Sequence, residues 1–558
     1  MKKVWELTKA WMPVAVGVGV FVWSAVYITM HRLEQAPAGA IVLRIGHWQL
    51  EPGVRDAFNE LAKDYQNDHP NVRIIQDPIP ESTYGQWVTT QLMGRTAPDM
   101  MEVGLGLPYY LWVSYLHRYF IPLSRVYDQP NPYNLGTPLE GVALRNTYLD
   151  GGRGSYNENL QEFMTIGLAQ FGERIFYNKE LLKKLTDLDE CPREYRGFIA
   201  ACEKIRSQTA PSGKQYIAIA GSSYHTWMWE LFMCDLLTNP ALELADYNRD
   251  GFVDPNEHYA AFKTGVLSFN YPPYRARFKM FREISDQFQT GYIGLSRDEA
   301  VFLFAQQRAV FLPTGTWDAR SLEAQAKGYF TVGIAEFPLP TEDDPDYGRF
   351  IRGPLYERPT TQFPFGITRT SQHPEVAQDF LLFLAGFRQN QKLNRIIGWI
   401  PAVKGVEMDE ILKAFEPHFS GVQGCMNFSI GGNSTIKWMQ DYAMFQAKKI
   451  DYDQMVASFE PYYKVQGLED YKEVMRVWRR GIWNDEQFLA GIRGTALLAT
   501  GAESESAWVK YRALTASRLV MPEIAHAREA RLVEKGPEPG ASAPYQYSQR
   551  ALARLGGR

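Results

Sequence analysis

Residues 41–79 read IVLRIGHWQLEPGVRDAFNELAKDYQNDHPNVRIIQDPI. The first eight, Ile41 to Trp48, form an apolar run of the kind that makes a buried strand. PGVRDAFNELAKDYQNDHP (52–70) carries its apolar residues at helical spacing, and VRIIQDPI (72–79) is a second strand. Strand, helix and strand in this order argue a mostly parallel α/β layer. The alternation continues outward. YGQWVTTQLMGRTAPDMMEVG (84–104) gives a helix, a Gly–Pro break and a short strand. Similar units follow at 173–185, 191–205, 216–227, 308–318, 330–340 and 364–387. Beyond about residue 405 the strand patterns stop. LEDYKEVMRVWRRGIW (468–483) sets Leu468, Tyr471, Met475 and Trp478 on one helical face, and 507–534 also reads as helix. The tail 536–558 has no core-forming pattern, and disorder is expected there.

A length of 558 residues suits about three or four domain-sized units. The net charge of −4 argues against a nucleic-acid partner, whose binding domain would be strongly basic. The 14 Trp and 31 Tyr are a supply of flat faces for sugar-like ligands as well as core filler. Cys191, Cys202, Cys234 and Cys425 form no CxxC or zinc spacing and read as buried or free thiols. At the N-terminus, Lys2, Lys3 and Lys9 precede an uncharged run from Trp11 to Met30, about the length of a bilayer span. A membrane anchor is expected there, with residues 1–10 in the cytoplasm and the rest outside it. A cleaved signal peptide, with APA at 36–38 as its cleavage site, is the alternative.

Six stretches carry a resemblance: LMGRTAPDMMEVG (92–104), RIFYNKELLKK (174–184), PREYRGFIAACEKI (192–205), SRDEAVFLFAQQRAVFLPTGTWD (296–318), GITRTSQHPEVAQDFLLFL (366–384) and GWIPAV (398–403). In this order they resemble the extracellular solute-binding proteins of bacterial ABC importers, in the sugar-binding branch that includes the maltose-binding protein. The resemblance implies an α/β, two-lobe periplasmic binding protein (type II) whose lobes are linked by hinge strands. To this the chain adds an N-terminal transmembrane helix (11–30), a linker (31–40) and extra C-terminal helices. Lobe 1 is expected over 41–160 and 355–388, lobe 2 over 161–340 and 389–465, and a helical extension over 466–535. The function implied is capture of a saccharide in the interlobe cleft and delivery to ABC permease subunits, on the outer face of the inner membrane and without catalysis. Asp99 in TAPD, Trp317 in GTW, and Tyr224 and Trp227 in SSYHTW fall where the family contacts its ligand. Trp48, Tyr109 and Trp399 are further candidates. Asp99 as a turn cap and the aromatics as core filler are the competing readings.

Two other classes stay open. One is a binding partner of a membrane sensor. The other is an anchored carbohydrate-active enzyme, although the sequence has no GxSxG, HExxH or phosphate loop. Separately, DYNRDGFVDPNE (246–257) fits a calcium loop. Asp246, Asn248, Asp250, the Phe252 carbonyl, Asp254 and Glu257 occupy positions 1, 3, 5, 7, 9 and 12. A structural Ca2+ bracing a surface loop is expected. The metal-free alternative is a capping box, with Asp254 as N-cap and Glu257 at N3.

Overall fold

The computed structural model describes Trp23 and residues 39–536, apart from 51, 108, 158–159, 211–212, 248–250, 252, 358–360, 419 and 426–430. In chain order its principal strands are β1 (Ile41–His47), β2 (Val72–Pro78), β3 (Met100–Glu102), β4 (Ile166–Gln170), β5 (Glu173–Asn178), β6 (Ile217–Ile219), β7 (Ala309–Gly315), β8 (Val332–Ala335), β9 (Gln362–Ile367) and β10 (Ile400–Pro401). Lobe 1 holds a six-stranded sheet in the order β10-β4-β9-β3-β1-β2, and lobe 2 a four-stranded sheet in the order β8-β5-β7-β6.

The opening unit folds as its pattern dictates. β1 pairs parallel with β2, and helix Pro52–Asp68 connects them. Val54, Ala57, Phe58, Leu61 and Tyr65 are buried on one face of that helix, against Leu43 and Ile45 of β1. The sheets are mixed rather than mostly parallel. β1–β2, β1–β3 and β6–β7 are parallel, whereas β9 and β10 run antiparallel to their neighbours, as do β5 and β8. The chain crosses between lobes several times, so returning strands enter in the opposite sense.

Those crossings shift the expected boundaries. β4, placed in lobe 2 from the sequence, lies inside the lobe 1 sheet, and the first crossing comes at Phe171–Gly172. Every residue of β4 is buried, and an apolar run buried on both faces does not reveal which sheet owns it. Helix Phe387–Ile397 and β10 also belong to lobe 1. Lys392 pairs with Asp64 at 2.7 Å, and Asn390 donates to the Leu168 carbonyl at 2.8 Å. At the hinge, Arg174 is 1 % exposed and joins three crossing segments. It pairs with Glu357 at 2.5 Å and donates to the carbonyls of Ala414 and Glu416.

The C-terminal helices are not a separate extension starting at 466. One helix runs from Tyr452 to Leu498, with Asp451 and Gln454 as a capping box. Its 47 residues span about 70 Å. Met455, Val456, Phe459, Tyr463, Tyr471 and Met475 enter the lobe 2 core. Further along, Phe488 meets His117 of lobe 1, with ring centroids 4.5 Å apart. Gly501–Thr515 then turns back antiparallel. A π turn at Ala516–Val520 leads into Met521–Lys535, which returns to helix Pro255–Lys263 of lobe 2. All four cysteines are buried and unbridged. The expected span 11–30, Trp23 excepted, and the tail from 537 lie outside the described residues. Among the described residues no helix is long and apolar enough to cross a membrane.

Candidate functional site

In α/β sheets ligands bind outside the carboxyl ends of the strands. In lobe 1 this edge carries Trp48, just past β1, and Glu102, the last residue of β3. Glu102 is wholly buried. It accepts hydrogen bonds from the Trp48 backbone N–H at 3.2 Å and from the Gln49 carboxamide at 2.7 Å. Its own carbonyl accepts the Tyr84 hydroxyl at 2.6 Å. The half-buried Trp48 ring stands edge-on to Tyr84, centroids 5.0 Å apart. Glu102 thus fixes the loop that presents Trp48.

In lobe 2 the same edge carries Tyr224, in the loop after β6, and Trp317, directly after β7. Tyr224 is 38 % exposed. It lies perpendicular to the half-buried Trp227 at 6.3 Å, with the Arg297 guanidinium 6.0 Å from its ring. Arg297 is held by Asp318, which also accepts the Thr314 hydroxyl. Burial raises the Tyr224 hydroxyl above its usual range. Arg297 opposes that shift, while Asp318, Glu81 and Glu173 add to it. The chain passes from the end of β4 straight into the start of β5 at Phe171–Gly172, and β4 shares the sense of β1 while β7 opposes β5, so the strand ends that carry these residues face each other across the crossing. Beside Tyr224, burial pushes the His225 imidazole down to about 3, so it stands neutral, sharing a hydrogen bond with the Ser222 hydroxyl at 2.8 Å.

The Trp317 ring folds back over Gly315. A Cβ at 315 would lie 2.4 Å from its six-membered ring. The backbone there is extended, at φ −112°, so glycine is needed for space rather than for conformational freedom. The Trp317 indole N–H is buried without a hydrogen-bond partner. At the floor, Phe171 stands between the rings of Trp317 at 6.1 Å and Trp399 at 4.7 Å.

Four of the sequence candidates, Trp48, Tyr224, Trp227 and Trp317, therefore gather at facing strand ends. Asp99 and Trp399 do not join them, and the place of the Tyr109 side chain is outside the described residues. Asp99 precedes β3, at the end of the strand away from the cleft. Its oxygens accept the Arg44 N–H at 2.8 Å and the Ser371 hydroxyl at 2.6 Å, which is the turn-cap role. Trp399 is 3 % exposed and packs on Phe363 as core. Tyr109 opens helix Tyr109–Tyr119. Sequence reasoning missed Glu102, Arg297 and Asp318. Arg297 and Asp318 bound the quoted stretch 296–318, but nothing in their spacing announces that they meet.

In the 246–257 loop, Asn248, Asp250 and Phe252 lie outside the described residues. Glu257 is wholly buried and accepts the backbone N–H groups of Tyr247 at 2.7 Å and Asp254 at 3.0 Å. Asp254 and Glu257 form a capping box on helix Pro255–Lys263. Among the described residues no three His, Cys, Asp or Glu side chains are grouped to hold a metal ion.

Comparison with known proteins places this architecture. Residues 60–418 match the family described as bacterial extracellular solute-binding protein. An uncharacterized ABC transporter extracellular-binding protein of Pyrococcus horikoshii is 21 % identical over 404 residues, covering 71 % of this chain and 80 % of the relative. The multiple sugar-binding protein of Streptococcus mutans is 21 % identical over 356 residues, 63 % of this chain and 73 % of the relative. Among solved structures, one from work on xylan utilisation by Caldanaerobius polysaccharolyticus superposes with a TM-score of 0.52 at 17 % identity, covering 76 % of this chain and all of the other. RafE of Streptococcus pneumoniae, in its apo form, gives 0.52 at 15 % identity, covering 77 % and 99 %. Two sheets joined by crossing strands are the fold these proteins share, and the family match spans both lobes: the chain belongs to the bacterial extracellular solute-binding proteins.

Proposed function

We propose that this chain captures a saccharide in the interlobe cleft and delivers it to the permease of an ABC importer. The observation that carries this reading is the aromatic lining of both walls, Trp48 on one side and Tyr224, Trp227 and Trp317 on the other. Aromatic faces pack on the apolar C–H face of a pyranose, and each such contact contributes about 0.5–1.5 kcal/mol beyond simple burial. Arg297, anchored by Asp318, offers hydrogen bonds to ring hydroxyls. The Streptococcus mutans relative and RafE, which is known in complex with raffinose, support a sugar-type solute. The role is binding rather than catalysis, and the site of action is outside the cytoplasm, with the N-terminal segment as membrane anchor.

A thermal-shift screen of neutral saccharides, amino acids and peptides tests the assignment, because a ligand that binds only the native form stabilises it. A saccharide should raise the melting temperature. Trp227→Ala should weaken that ligand by roughly three- to tenfold while the protein still folds. A screen in which peptides alone give a shift would overturn the sugar reading. Calcium at 246–257 is a separate proposal. Its test is a calcium titration of the full chain, in which no uptake at millimolar concentration would leave the capping box as the whole role of that loop.

A further inference from the structure

We propose that the C-terminal helical hairpin is a strap that ties lobe 2 to lobe 1 and limits how far the ligand-free cleft opens. This rests on the two-lobe hinge, not on the identity of the solute. Both ends of the hairpin are rooted in lobe 2. Helix Tyr452–Leu498 begins in its core, where Met455, Phe459 and Tyr463 are buried. Met521–Lys535 finishes there, with Val533 packed against the same core. The bend of the hairpin, about 70 Å from its root along the first helix, rests on lobe 1.

Among the described residues the contacts at that far end are few and mostly polar. Phe488 stands edge-on to His117 at 4.5 Å. Lys510 pairs with Glu162, whose other oxygen takes the Ser124 hydroxyl, so the strap grips a carboxylate already fixed in lobe 1. Glu503 pairs with Arg125 at 3.5 Å. Between the two arms Arg518 bonds Asp485 at 2.9 Å and lies 5.0 Å from the Phe488 ring, so the arms move as one body. An open cavity of about 920 Å³ separates the strap from lobe 1, lined by Arg145, Tyr156, Glu162, Val509 and Lys510. The lobe 2 root is packed like a core and the lobe 1 end is not. A rotation at Phe171–Gly172 must therefore break the lobe 1 contacts first. The family match ends at residue 418, before the strap begins.

The test is distance measurement by spin labels on the full chain without ligand. Lys63→Cys in lobe 1 and Lys327→Cys in lobe 2 are exposed positions, and the four native thiols are buried. The parent should give one narrow distribution. Lys510→Glu should shift the ratio of open to closed separations by roughly two- to fivefold, the effect of losing one partly exposed ion pair. The charge swap Glu162→Lys with Lys510→Glu should return the narrow distribution. Phe488→Ala, which changes no charge, should broaden it again. Raised salt should act like Lys510→Glu, since it screens the same pairs. Distributions that stay parental in both Lys510→Glu and Phe488→Ala would overturn the strap. Because no saccharide is added, that result would leave the sugar assignment untouched.

Discussion

Glu173 stands one residue past the first crossing between the lobes, where burial, with Glu357 adding to it, pushes its carboxyl from 4.5 up to about 7. The folded value lies above the unfolded one, so the native state favours the protonated form. The stability this contributes is complete below about pH 4.5 and is lost as the pH rises through 7. Glu173→Gln should therefore melt with less pH dependence than the parent between pH 5 and 8. Melting curves that fall in parallel for the two proteins would show that the hinge carboxyl does not titrate in this range. At this scale the sequence was legible where one residue type and one position suffice. Trp48 was legible from its place at the end of the first strand and Trp317 from the family resemblance, and both lie just past strand ends. Asp99 was not legible in this way, because a Pro–Asp turn looks the same at either end of a strand, and only the sheet decides which end faces the cleft. Arg297 and Asp318 were illegible for another reason. Their pairing joins the start of helix Arg297–Ala305 to the start of helix Thr316–Ala326 across an intervening strand.

Along the helix Tyr452–Leu498 three of the four glycines make a controlled comparison. At Gly467 a Cβ would lie 2.7 Å from the ring of Tyr259, which is fully buried and stacked on Tyr471. At Gly491 and Gly494 a Cβ would meet nothing within 4 Å. Alanine gains about 1 kcal/mol over glycine in a helix interior, while overpacking costs about 1–3 kcal/mol. Gly467→Ala should therefore be neutral to destabilising by up to about 2 kcal/mol, and Gly491→Ala and Gly494→Ala should each stabilise. Chemical denaturation of the three variants checks the order. Equal gains at all three would mean that the seam with lobe 2 is looser than the packing of Tyr259 implies. The helix itself was readable, since Tyr471 and Met475 of its predicted face are buried and Leu468 packs beside them. Its docking on lobe 1 was not, because one ring contact and two ion pairs leave no periodic trace in the sequence. Strand polarity was equally hidden. Apolar runs mark buried strands but not their direction.

The two lobes were visible in the order of elements, and their ownership of the connecting segments was not. A chain ending after Ile450 covers the whole family match, yet it should fail to fold. It would expose the surface under Met455, Val456, Phe459, Tyr463, Tyr471 and Met475. Six such side chains are worth on the order of ten kcal/mol, comparable to the entire stability of an ordinary domain. A soluble product with a cooperative melt would refute this and make the helices an appendage. The cysteines divide the molecule in a different way. Cys191, Cys202, Cys234 and Cys425 all belong to the lobe 2 core, and none lies in lobe 1. Burial pushes Cys191 and Cys425 up to about 12 and raises Cys202 and Cys234 as well, so the folded thiols are neither accessible nor ionised. A thiol-trapping reagent added to the native chain is therefore a clock for one half of it. Its rate counts the openings of lobe 2 and is blind to any that lobe 1 undergoes alone.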